Sequence, residues 1–248
     1  MSAAAEVGVV REGLPDWLVP VRDVAESVEP GQLSRFLPPA EGGRRSAVLV
    51  LFGEQPGRGP DLLLIERARQ LRSHAGQPSF PGGALDPEDG DPKGEGRIRA
   101  ALREAREETG LDPAGVQVFG VLPDLYIPVS DFVVTPVLGW WHTPVPVGPV
   151  DEGEVAEVFR VPVAQLADPA NRARLRHPSG FRGPAFLVDG HVVWGFTAGV
   201  IDRLLHHAGW EQPWDGAREV ELGDASVFAS REEQERARAL MRGGGEGG

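Results

Sequence analysis

Apolar residues follow two rhythms along this chain, and the switches between them predict its elements. Near-continuous apolar runs at Ser46–Phe52 and Leu62–Glu66, parted by the turn-rich GEQPGRGPD, predict buried strands. Further strands are expected at Val116–Leu122, Val133–Trp141 and Val155–Val161. Residues 181–194 read as a hairpin turning at Asp189-Gly190, a pair suited to left-handed turn positions. Helical spacing predicts a helix at Arg97–Thr109, ended by Gly110 in the left-handed conformation and kept from resuming by Pro113. A second helix is expected within residues 197–210, where Val200, Ile201, Leu204 and Leu205 share a face.

The ends are less regular. Residues 1–43 read as an irregular extension with a short helix around Leu33–Leu37, and residues 213–248 as an extension holding a short capped helix and a flexible glycine tail. Residues 44–212 are left as the folded domain. Strands and helices alternate without a strict strand–helix–strand rhythm, so an α/β (α+β) fold with a mixed sheet flanked by helices is expected.

Composition narrows the function. A chain of 248 residues with 41% hydrophobic content supports one domain with a substantial core. The absence of cysteine excludes disulfides, thiolate catalysis and zinc-thiolate sites. A formal net charge of −12 argues against a nucleic-acid partner. It leaves room for an anionic small molecule, because a local arginine cluster and a bound metal reverse the field inside one cleft. No apolar run reaches membrane-spanning length, and the first residues lack a basic segment followed by an apolar core, so a cytoplasmic protein without a membrane partner is expected. The oligomeric state is left open, a homodimer included.

Within the helix at 97–109, Glu104, Glu107 and Glu108 stand at positions i, i+3 and i+4 and project from one face. Like charges at that spacing repel, a cost that a cation reverses. Hard carboxylate oxygens suit magnesium, which commonly bridges to substrate phosphates. Arg103, adjacent, can hold a carboxylate in place through a forked hydrogen bond. Upstream, Gly82 and Gly83 in SFPGG allow close backbone approach.

These residues resemble the box of the Nudix hydrolases, G-x5-E-x7-R-E-U-x-E-E-x-G-U, where U is a bulky aliphatic residue. Glu95 to Leu111 matches the part from the first glutamate onward, with the smaller Ala105 at one U position. Counting five residues on from Gly83 reaches Asp89 instead, because the loop GDPKGE is inserted. Either Asp89 or Glu95 can therefore fill the first acidic position, and the intact spacing to Arg103 favours Glu95. The preceding stretch LLLIERARQLRSHAGQPSFPGG, residues 62–83, is similar to the signature of the coenzyme A pyrophosphatase branch of that family. It departs from that signature at Ile65 and Ala68, and the wider likeness spans about residues 44–210.

The resemblance implies a Nudix α/β/α sandwich and metal-dependent hydrolysis of a pyrophosphate bond. Magnesium or manganese would be held by Glu104, Glu107 and Glu108, with Glu104, Glu107 and Arg103 carrying the chemistry and no organic cofactor required. Arg67, Arg69, Arg72 and His74, with Gly82 and Gly83, would meet a nucleotide substrate of the coenzyme A type, since guanidinium forks match phosphate oxygens. The proton acceptor is left open among a box glutamate, Glu152, Glu154 and Glu157. Phe132 and Tyr126 are candidates for a pocket wall, while Trp140, Trp141 and Trp194 read as core.

Overall fold

The chain, seen in a computed structural model that describes residues 8–71, 76–176, 182–221 and 235, enters its core well before the expected domain start. A 3-10 turn at Asp16–Leu18 leads into helix α1 (Val19–Ser27), with Pro20 in its first turn, and then into α2 (Pro30–Leu33). Proline suits a helix start because its missing N–H would have no intrahelical partner there. Glu29 and Gln32 form a reciprocal cap on α2, and Ser34 is already extended. The short helix therefore ends where Leu33–Leu37 was expected to begin one, and Leu37 is exposed. Leu18, Val21, Val24 and Leu33 are buried in the main core, so much of the segment before Arg44 is packed structure.

Strand β1 (Arg44–Gln55) turns back into β2 (Gly59–Arg67). Two short strands follow, β3 (Pro78–Ser79) and β4 (Gly82–Ala84), before helix α3 (Gly96–Thr109). Then come β5 (Val116–Val121), β6 (Leu125–Ile127), β7 (Phe132–Trp141) and β8 (Val155–Pro162). The central sheet runs β3-β2-β1-β7-β5, with β4 on β1, β6 on β7 and β8 on β2. It is mixed: β1 and β7 are parallel from Arg44 opposite Phe132 to Phe52 opposite Trp140, whereas β2 is antiparallel to β1 and β8.

Because strand side chains alternate, β1 feeds two cores. Ala47, Leu49 and Leu51 meet Ile98, Ala101, Leu102 and Ala105 of α3 on one face. On the other face, Val50 and Phe52 pack with α1 and with α5 (Gly195–His207), which follows α4 (Val163–Ala167). The result is a sheet between helices, the α/β/α sandwich anticipated from sequence. Fully burying one such leucine or phenylalanine contributes about 1.5–3 kcal/mol.

A second sheet was not anticipated beyond its hairpin. β9 (Arg172–Arg176), β10 (Arg182–Val188), β11 (His191–Val193) and β12 (Glu219–Glu221) run in the order β11-β10-β9-β12. The β10–β11 hairpin turns at Asp189 and Gly190, both at positive φ, as the Asp-Gly pair implied. The capped helix and glycine tail expected at the C-terminus lie outside the described residues, apart from Glu235.

Candidate active site

Helix α3 ends where its sequence says it should, with Gly110 at φ 72° donating its N–H to the Arg106 carbonyl. Ala105 is fully buried against the sheet, and Glu104 and Glu108 face the loop carrying Gly82 and Gly83. That loop is laid along β1: Leu49 donates to the Pro81 carbonyl at 2.8 Å, and Val48 stands opposite Gly82.

The three glutamates share a face but differ in environment. Glu108 is buried; its Oε2 accepts a hydrogen bond from the Gly82 N–H at 2.9 Å, and its Oε1 lies 3.6 Å from Arg67 Nη1. Glu104 sits under Gly83, where an added Cβ would come within 2.4 Å of the Glu104 carboxyl carbon. Glu107 is the most exposed of the three and borders an open depression of about 480 Å³ shared with Arg99, Leu102, Arg103, Arg106 and Pro113.

Arg103 organises this face. Its Nη1 donates to Glu104 Oε1 at 2.9 Å and to Glu107 Oε2 at 3.0 Å. On its other side, Nε and Nη2 fork onto the two oxygens of Asp89 at 3.2 and 3.0 Å, and Nη2 also reaches the Ala84 carbonyl. Asp86 stands 3.4 Å away, so one guanidinium is shared among four carboxylates.

Of the two candidate first acids, Asp89 is the one that meets Arg103. Asp89 is buried in the 3-10 turn Pro87–Asp89, where its side chain also accepts from the Asp86 N–H. Glu95 is half-exposed at the start of α3 and pairs with Arg99 instead. The inserted loop lengthens the chain after Asp89 and leaves the acid itself in reach of Arg103.

Electrostatics follow from this packing. Burial pushes the Asp89 carboxyl up, but the Arg103 fork and the Asp86 N–H together hold it below its ordinary value. Burial raises Glu104 despite its hydrogen bond to Arg103. Burial likewise pushes Glu108 up to about 7, against the opposing pull of the Gly82 N–H and Arg67, with Glu104 and Glu154 pushing further. Too many carboxylates meet too few guanidiniums here. A hard divalent cation fits this donor set, since it would supply the missing positive charge and accept oxygen ligands. Gly83, whose added Cβ would meet the Glu104 carboxylate, closes backbone over that side chain.

Other expected residues are scattered more widely. Arg67 reaches Glu108, but Arg69 turns to Glu66 at 3.6 Å, and Arg72 and His74 lie outside the described residues. Of the loop acids, Glu154 is close enough to Glu108 to raise its pKa, and its carbonyl accepts from the Ala68 N–H. Glu157 points elsewhere, to His191 at 3.3 Å. Tyr126 donates to Asp131, and Phe132 lies under the Arg44 guanidinium. Trp141 is buried, and Trp140 and Trp194 pack against the cores. Sequence reasoning missed Asp86 as a partner of Arg103, although the Asp-x-x-Asp spacing of a capped turn signals it.

A sheet enclosed by helices, with an acid-bearing helix facing a glycine loop, is an arrangement that could hold a divalent cation. A protein-family model for the NUDIX domain matches residues 43–180. A Cronobacter sakazakii protein named "Uncharacterized Nudix hydrolase NudL" is 42% identical over 177 residues, spanning 68% of this chain and 85% of its own length. Its Escherichia coli K12 namesake is 40% identical over 173 residues, spanning 67% and 83%. Among solved structures, the Nudix hydrolase RenU of M. smegmatis is 22% identical, covering 71% of this chain and 91% of its own, with a TM-score of 0.47. The chain belongs to the Nudix hydrolase family and is a pyrophosphohydrolase of that family.

Proposed function

We propose that this hydrolase cleaves the pyrophosphate bond of coenzyme A or its derivatives, giving 3′,5′-ADP and 4′-phosphopantetheine. The observation that carries the reading is the place of Arg67, a residue of the 62–83 signature, beside Glu108 of the helix. A substrate phosphate at the helix glutamates would lie within reach of that guanidinium. Arg67 Nε, buried and without a hydrogen bond among the described residues, is a further donor not committed to the fold. We take residues 44–212 as the catalytic unit and the cytoplasm as its compartment; no described helix is long and apolar enough to cross a membrane.

In this reading Asp89 anchors Arg103, and Arg103 in turn sets the rotamers of Glu104 and Glu107. The Gly82 N–H fixes Glu108 in the same way. A magnesium or manganese ion held by Glu104, Glu107 and Glu108 would neutralise phosphate charge and acidify the attacking water. Glu154, exposed on the loop before β8 and near enough to Glu108 to act on its charge, would accept the proton of the attacking water. The water oxygen joins one phosphorus, the bridging P–O bond breaks, and two phosphate monoesters leave.

The test is hydrolysis by purified protein in magnesium, across coenzyme A, acyl derivatives, ADP-ribose and NADH. Faster turnover of coenzyme A or its acyl derivatives supports the proposal. Cleavage of ADP-ribose far faster than coenzyme A refutes the substrate while leaving the family intact.

A further inference from the structure

Across the central sheet from α3, three ionisable side chains converge with no part in the chemistry above. Glu66 on β2 and Glu157 on β8 stand directly opposite each other in register. They continue the face that carries Leu62, Leu64, Phe159 and Val161, while α3 packs on the other face against Leu63 and Val158. Like charges directly opposed across two strands destabilise a sheet unless something positive joins them. His191, on β11 of the second sheet, supplies the third group: its Nε2 lies 3.3 Å from Glu66 Oε2 and 3.3 Å from Glu157 Oε2.

We propose that Glu66, Glu157 and His191 form a site for a zinc-class divalent cation that ties the two sheets together. The ring is only 2% exposed, and Phe159 stacks on it at 4.1 Å with planes 4° apart, so Nε2 is aimed at the two carboxylates. Neither contact is a well-formed hydrogen bond, and Nε2 and Glu66 Oε1 are both left without one among the described residues. Charge-assisted N–H···O contacts usually close to about 2.7–2.9 Å. Two ligands about 2.0–2.1 Å from a tetrahedral zinc ion stand about 3.3 Å apart, the separation seen here. One ligand atom from each residue falls within 4.8 Å of the other two. An imidazole with two carboxylates suits zinc, and the partly exposed Glu157 leaves a path for entry and for a fourth, solvent ligand.

Two carboxylates and one guanidinium lie around the imidazole. Arg69, 3.6 Å from Glu66 Oε1, offsets part of that carboxylate's charge.

The experiment uses the full chain, stripped with chelator and titrated with Zn2+ alone, with metal content and melting temperature as readouts. Retention of one zinc per chain, with a raised melting temperature, is expected. Both should survive in the chain carrying Glu104→Gln, Glu107→Gln and Glu108→Gln, and both should be lost with His191→Ala. Glu157→Gln, at the more exposed ligand, covers the case in which His191→Ala fails to fold; it should weaken zinc at least tenfold. Co2+ in place of zinc should give the intense visible bands of a four-coordinate site. If zinc is not retained, or binds His191→Ala and Glu157→Gln as it binds the wild type, or is lost with the helix glutamates, the proposal is wrong; an imidazolium then bridges the carboxylates.

Discussion

Replacing Asp89 by asparagine separates the two candidate first acids by energy. Asp89 is 4% exposed and receives two hydrogen bonds from a guanidinium that is itself a quarter exposed. Net contributions of hydrogen bonds to charged groups run about 1.5–3 kcal/mol. Asparagine keeps one acceptor and sets an amide N–H against Arg103, so a loss of about 2 kcal/mol is expected after discounting for the exposed side of Arg103. Glu95→Gln removes only a half-exposed pair one turn apart, worth about 0.3–0.5 kcal/mol. In urea denaturation with an m value of about 3 kcal/mol/M, the Asp89 variant should lose about 0.7 M at its midpoint and the Glu95 variant under 0.2 M. The sign with pH follows from the lowered Asp89 value: the advantage of the wild type over Asp89→Asn is full above about pH 4 and is lost as pH falls through the folded pKa. Turnover of Asp89→Asn should fall as well, because Arg103 loses the anchor that aims Glu104 and Glu107. A larger stability loss in Glu95→Gln than in Asp89→Asn would refute this reasoning.

Two further substitutions test the helix face. Glu107→Gln should lower turnover roughly 10²–10³-fold, as loss of a charged group facing the reaction does, with stability within about 0.5 kcal/mol because the side chain is largely exposed; unchanged turnover would place the metal elsewhere. Gly83→Ala should leave the fold standing but lower turnover about 10²-fold, since its Cβ displaces the flexible Glu104 carboxylate; circular dichroism with a coenzyme A assay separates this from unfolding.

Much of this molecule was legible because its signals are local. The continuous apolar runs of β1 and β7 mark strands buried on both faces, and Gly110 with Pro113 marks the end of α3. The Asp-Gly pair places the β10–β11 turn to the residue. The N-terminal helices were missed because each is short and carries a proline in its first turn, Pro20 or Pro30, that reads as a breaker when the residues packing around it are unknown. β9 hid behind alternating arginines, Arg172, Arg174 and Arg176, and one of the two strands it pairs with, β12, lies far along the chain.

The same division holds for the candidate site. Three glutamates on one helix face are visible from spacing alone, but their unequal burial depends on a loop closing from 26 residues away. Spacing favoured Glu95 because it counted back from Arg103 along the chain, whereas the 3-10 turn brings Asp89 to Arg103, a contact that no local spacing reveals. Glu66, Glu157 and His191 come from three strands in two sheets, and no local pattern joins them.

Anomalous diffraction from crystals soaked in Mn2+ and coenzyme A tests the central claim most directly. A manganese peak bounded by the Glu104, Glu107 and Glu108 carboxylates, with a diphosphate and Arg67 beside it, is the predicted result. Those carboxylates turned to bulk solvent, with diphosphate bound and no ion at the helix, would contradict it.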